Sequence, residues 1–124
     1  MNTLDYLKVT EEEIENGVKD EFGAVYSADG KRLLQFDADV TKLKEYSIKE
    51  GTVYICDEAF YHCTNLSEIN IPNSVTHIGN EAFGDCDCLA SIDIPNTVVH
   101  IGEKAFYTCF GLKKINIPDS VTYI

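Results

Sequence analysis

Three tripeptides, Ile71-Pro72-Asn73, Ile94-Pro95-Asn96 and Ile117-Pro118-Asp119, recur at a single step of 23 residues. A fixed period of this size is the signature of a stacked array, and it excludes most other folds. Moving the register back once reaches Ile48-Lys49-Glu50, so the full units are 48–70, 71–93 and 94–116, with a partial unit at 117–124. Ile55, Ile78, Ile101 and Ile124 share a column, as do Ala59-Phe60, Ala82-Phe83 and Ala105-Phe106. Three further columns are Cys63/Cys86/Cys109, Leu66/Leu89/Leu112 and Ile69/Ile92/Ile115. One such unit cannot bury its own apolar side chains, whereas stacking sets like on like and builds ladders of Leu, Ile, Phe and Cys.

Within a unit, Leu66-x-x-Ile69-x-Ile71 alternates as a strand does, and Pro72 then withholds a backbone donor and ends the pairing. The Ala-Phe segment after Gly79 or Gly102 reads as a short helical turn whose Phe enters the core from the opposite side. The pattern Leu-x-x-Ile-x-Ile-Pro, then Val-x-x-Ile-Gly-x-x-Ala-Phe-x-x-Cys, resembles the BspA-type leucine-rich repeat over about residues 48–124. Ser74, Thr97 and Ser120 stand where the commoner leucine-rich pattern carries an Asn or Cys ladder, which fits the BspA-type form. The resemblance implies an α/β-type repeat solenoid, right-handed, with short strands and short helical turns. It also implies protein recognition: proteins similar to it are often surface or secreted proteins of oral and gut bacteria, some of which contact host matrix proteins or other cells.

Residues 1–47 depart from the repeat and read as an N-terminal cap. Residues 3–16 carry helix formers, and Thr10 followed three residues later by Glu13 suits a capping box. Asp29-Gly30 between Ala24-Val25-Tyr26 and Arg32-Leu33-Leu34-Gln35-Phe36 signals a hairpin. At the other end, Val121-Thr122-Tyr123-Ile124 breaks off within a unit. An uncapped rung exposes apolar ends and unpaired strand edges, so the expectation is either further repeats or a homodimer through this rung.

Charge and motif content narrow the chemistry. The formal charge of −11 and the absence of a basic stripe exclude nucleic acid as the expected partner. No stretch approaches the roughly 20 apolar residues needed to span a bilayer, and Met1-Asn2-Thr3-Leu4-Asp5-Tyr6 shows neither a basic nor an apolar leader segment. Five cysteines make an odd count, against a complete disulfide framework. Cys63, Cys86 and Cys109 read as a ladder of buried thiols, whereas Cys56 and Cys88 break their columns and are expected to be exposed. Cys86-x-Cys88 lacks the spacing of a zinc site, and Asp85 and Asp87 lack the register of a calcium loop. Without a phosphate-cradling loop, a nucleophile elbow or paired carboxylates, the chain reads as non-enzymatic, with no cofactor and no metal.

Two surfaces remain as candidates. Strand alternation turns Glu68, Asn70, Ser91, Asp93, Lys114 and Asn116 outward on one sheet face, suited to an extended protein partner. Tyr54, His77, His100 and Tyr123 share another column, an alternative stripe for a carbohydrate or small ligand. Tyr61, Tyr107 and Phe110 lie near the turn side as a competing contact patch. A third reading is a structural spacer in a larger protein.

Overall fold

The computed structural model describes residues 3–37 and 43–121. A 3-10 turn at Thr3–Leu7 and the short helix α1 (Glu11–Glu15) precede β1 (Val18–Lys19), β2 (Ala24–Tyr26) and β3 (Arg32–Phe36). The strands β4 (Glu45–Ser47), β6 (Glu68–Asn70), β8 (Ser91–Asp93) and β10 (Lys114–Asn116) form one parallel sheet. Between them in sequence, β5 (Tyr54–Ile55), β7 (His77–Ile78) and β9 (His100–Ile101) continue a second sheet in the order β1-β2-β3-β5-β7-β9. Its first three strands pair antiparallel and the rest parallel.

Strand register reproduces the sequence columns: Glu45 faces Glu68, Tyr54 faces His77, and Ser91 faces Lys114. Both sheets begin ahead of Ile48, because β4 stands one 23-residue step before β6 and β3 pairs directly with β5. Inside, Phe36, Phe60, Phe83 and Phe106 form a ring ladder with centroid spacings of 5.4, 5.2 and 5.3 Å. The last two pairs are almost parallel, at 5° and 2°. Adjacent rungs about 4.8 Å apart force this offset stack whenever one column repeats one ring. Leu66, Leu89, Ile55, Ile78, Ile69 and Ile92 pack in the same core. Ile115 on β10, the sheet edge among the described residues, is 37% exposed against 2% for Ile92.

The Ala-Phe segments are strings of turns, with no helix assigned between Ile48 and Val121. Glu58, His62, Glu81, Asp85, Lys104 and Thr108 all adopt positive φ, between 53° and 64°. Alternate amides divide their bonds. Ala59, Tyr61 and Cys63 donate within the rung, to Cys56, Glu58 and Phe60. Glu58, Phe60 and His62 donate to Asn80, Ala82 and Gly84 of the next rung. An α-helix would turn the amides beyond its first turn onto its own carbonyls, and alternate amides would not be free to tie rungs together. Gly79 and Gly102 are required by close stacking: a Cβ at Gly79 would lie 2.6 Å from the Asp57 nitrogen, and one at Gly102 2.6 Å from the Asn80 nitrogen. The column of Ser74, Thr97 and Ser120 also joins rungs. Thr97 and Ser120 donate to the Val75 and Val98 carbonyls, and Ser74 accepts from the Gly51 amide.

The first rung is covered by the N-terminal segment. Thr10 and Glu13 form the reciprocal capping box of α1, but the region 3–16 is split into a 3-10 turn and this short helix. Arg32 holds both pieces: it donates to the Tyr6 and Lys8 carbonyls at 2.8 and 2.7 Å and pairs with Glu13 at 2.6 Å. Beneath the 3-10 turn lies Cys56, whose thiol donates to the Tyr6 carbonyl at 3.3 Å. The expectation that Cys56 is exposed is therefore corrected. It is fully buried, because its column meets the N-terminal segment rather than another repeat. Replacing Phe83 by Ala should remove the middle of the ring ladder and cost about 3–5 kcal/mol, measured by denaturant unfolding. Phe106→Ala, on a half-buried ring, should cost less, and equal losses would contradict the packing described.

Candidate functional site

On the four-stranded sheet the middle residue of each strand turns inward, as Tyr46, Ile69 and Ile92 do, and the flanking residues turn out. Two exposed columns result. Glu45, Glu68, Ser91 and Lys114 form one, and Ser47, Asn70, Asp93 and Asn116 the other. The six residues expected on this face, Glu68, Asn70, Ser91, Asp93, Lys114 and Asn116, are brought together there. Glu45 and Ser47 were missed, because their unit lacks the Ile-Pro mark. Counting back 23 from Glu68 and Asn70 would have found both.

Electrostatics vary along the face. Glu45 stands directly opposite Glu68 on the adjacent strand, and this carboxyl neighbour raises the Glu68 pKa above the ordinary carboxylate value. Asn70 donates to Ser47 Oγ at 3.0 Å, tying the head of the second column. A shallow hollow of about 240 Å³ lies between β6 and β8.

The ring stripe is also continuous. Tyr54 and His77 lie 5.5 Å apart and His77 and His100 5.7 Å apart, centroid to centroid. Tyr6 stacks on Tyr54 at 5.3 Å and extends the column, a contact no periodicity announces. Tyr123 lies outside the described residues. Tyr54 and His77 each have a stacked ring neighbour on one side and a tilted one on the other, which leaves little open ring face for a ligand. Burial lowers the pKa of both histidines, with the charge of His100 adding to the effect at His77. Thr76 Oγ1 lies 2.8 Å from His77 Nδ1.

The thiols are shielded. Cys63, Cys86 and Cys109 donate to the Phe36, Phe60 and Phe83 carbonyls. Burial pushes Cys56 and Cys63 up to about 12 and raises Cys86 and Cys109 as well. A thiol so held is protonated at neutral pH and is a poor nucleophile. Cys88 is exposed. His62 turns away from Cys63 toward Asp85, 3.6 Å distant, and Thr108 donates to the same carboxylate. Tyr61, Tyr107 and Phe110 are exposed near this edge, Phe110 at 83%. Among the described residues, no group of three or more His, Cys, Asp or Glu could hold a metal ion. None of their helices is long and apolar enough to cross a membrane.

The family described as BspA type leucine rich repeat region matches residues 36–124, in six copies. Similar solved structures include a leucine-rich cell surface protein from Faecalibacterium prausnitzii, 38% identical with a TM-score of 0.57. That match covers 59% of this chain and 19% of that one. A leucine-rich repeat protein from Eubacterium ventriosum is 28% identical, with a TM-score of 0.76, over 87% of this chain and 28% of the other. The pneumococcal vaccine antigen PcpA shares the fold at 24% identity and a TM-score of 0.81, over 86% and 26%. The chain thus spans between 19% and 28% of the length of these three proteins. No curated relative matches it.

Two outcomes follow from the site chemistry. The fold favours neutral His77 and His100, so their contribution is complete above the ordinary imidazole value of 6.5. It declines as pH falls through that value toward the lowered folded values. Denaturant midpoints taken from about pH 8 to about pH 5 should drop accordingly, and a His77→Phe/His100→Phe variant should flatten the slope. A disulfide-exchange reagent should label Cys88 first, and Arg32→Ala should make Cys56 the second to react. Rapid labelling of native Cys63 or Cys86 would sink the buried ladder.

Proposed function

The chain belongs to the BspA-type leucine-rich-repeat family, and from that premise we propose that it is a non-enzymatic protein-binding module. Its partner lies along the polar face of the four-stranded sheet. One observation carries this reading: two straight columns of exposed polar side chains, one residue per rung, stand on strands of which three, β4, β6 and β8, have their middle residues anchored in the core. Hydrogen-bonding groups at so regular a spacing suit an extended segment, and the buried anchors mean that little order is lost on binding. The mostly buried thiols and their raised pKa values support the non-enzymatic part.

The face has four rungs and is small beside a standard protein interface, so its affinity alone is modest. Longer repeat arrays of the kind it resembles would add rungs and multivalent contacts. The likeness to a cell surface protein supports display outside the cell as part of the same reading. The test is a selection of linear peptides from a displayed random library. Selected peptides are then measured against an Asn70→Ala/Asp93→Ala/Asn116→Ala variant. Affinity should fall at least about tenfold with the thermal midpoint held, because polar contacts are lost without core damage. Unchanged affinity would remove the sheet face from the reading.

A further inference from the structure

The sheet face runs, at its N-terminal end, into a groove of about 500 Å³. Resting on the sheet-face reading, we propose that this groove anchors one large apolar side chain of the partner. Glu45 and Glu68 then receive a Lys or Arg neighbouring that anchor.

The walls are Val18 on the edge strand, Phe22 in the turn after it, and Tyr26, Leu43 and Tyr46. Asp20 fixes this wall: one carboxylate oxygen accepts the amides of Phe22 and Ala24, both at 2.9 Å. Its other oxygen accepts the Tyr46 hydroxyl at 2.6 Å. With that proton committed, Tyr26 donates to the Tyr46 oxygen at 2.6 Å, and the Lys49 amide donates to Tyr26 at 3.1 Å. The polar groups at the base therefore satisfy one another. What the groove offers a ligand is ring and aliphatic surface, so the occupant is apolar. Phe22 is 41% and Val18 55% exposed, leaving apolar area that the described fold does not cover. The volume falls within the range of ligand pockets, and the open mouth admits a side chain carried on a backbone.

Continuity ties the groove to the face. Glu45 and Ser47 border the groove and also head the two polar columns. There Glu45 stands directly opposite Glu68 on the adjacent strand, and no described Lys or Arg forms an ion pair with either. Two carboxylates at directly opposite strand positions repel until a cation joins them. Lys19 and Lys49 also border the groove, and Lys49 sets its ammonium 6.0 Å from the Tyr26 ring centroid. The selection for a basic residue thus falls on the Glu45–Glu68 pair. Further along, the same column passes through Ser91 to Lys114, reversing its charge. The partner that fits is an extended segment with an apolar anchor, a basic residue beside it and an acidic residue toward β10.

The test uses the full chain and the fluorescein-labelled peptide Ser-Gly-Phe-Lys-Ser-Gly-Glu-Ser, with controls replacing its Phe by Ala or its Lys by Glu. Fluorescence anisotropy measures affinity, and amide chemical-shift mapping locates the contact. The parent peptide should bind, with shifts from Phe22 and Tyr46 through Glu68 to Asp93. The Ala control should bind at least about tenfold more weakly, as truncation of an anchor does. Phe22→Ser should reproduce that loss, and Glu45→Gln/Glu68→Gln should abolish the preference for Lys over Glu. Equal binding of the Phe and Ala peptides, with shifts confined to Asn70 and Asp93, would overturn the anchor groove and spare the sheet face. Shifts confined to the groove, with Asn70 and Asp93 unmoved, would uphold the anchor and overturn the sheet-face reading. Failure of all three peptides to bind would overturn the proposal.

Discussion

Rung-to-rung hydrogen bonding holds this protein together, and nearly every other feature follows from its register. Along both sheets and along the turn edge, backbone donors of one rung meet acceptors of the next. Through the repeats, strand pairing sets residues 23 apart on one another. No unit is large enough to bury its own side chains, so each depends on its neighbours. The phenylalanine stack, the thiol ladder and the glycines that let rungs approach are consequences of one translation applied repeatedly.

The translation that rewards apolar repetition inside penalises charge repetition outside. Identical charges one rung apart repel, and the sheet face carries only one such pair in its two columns, Glu45 on Glu68. Elsewhere on it the columns alternate in kind: Ser91 precedes Lys114, and Asn70, Asp93 and Asn116 mix amide with carboxylate. Stacked histidines obey the same rule, since half-burial beside another imidazole favours their neutral form. On this face the like-charged pair adjoins the apolar groove. Proximity of an unmet charge to uncovered ring surface gives the face a polarity that a uniform repeat would lack.

Outside the periodic part, stability is organised by specific bonds. Arg32 gathers two carbonyls and one carboxylate of the N-terminal segment, and its hydrogen bond is the main reason the Glu13 pKa lies below the ordinary carboxylate value. Asp20 does similar work for the turn carrying Phe22. Through these two residues the aperiodic start of the chain is fitted onto the first rung, closing an end that would otherwise show its core to water.

The period, the core ladders and most of the polar columns were legible in the sequence, because a stacked repeat converts sequence separation directly into spatial register. Phe60, Phe83, Asn70 and Asp93 could be placed by counting alone. Glu45 and Ser47 were countable too, but their unit lacks the Ile-Pro mark that announces the others. The turn segments misled, since local composition does not reveal that alternate amides are needed by the next rung. Only the tertiary structure decided the burial of Cys56 under Tyr6, the addition of Tyr6 to the ring stripe, and the groove between Phe22 and Tyr46. Each joins an aperiodic residue to a strand of the stacked sheets, and no repeat relates the two: such contacts are fixed by how the cap settles on the first rung, which spacing does not encode.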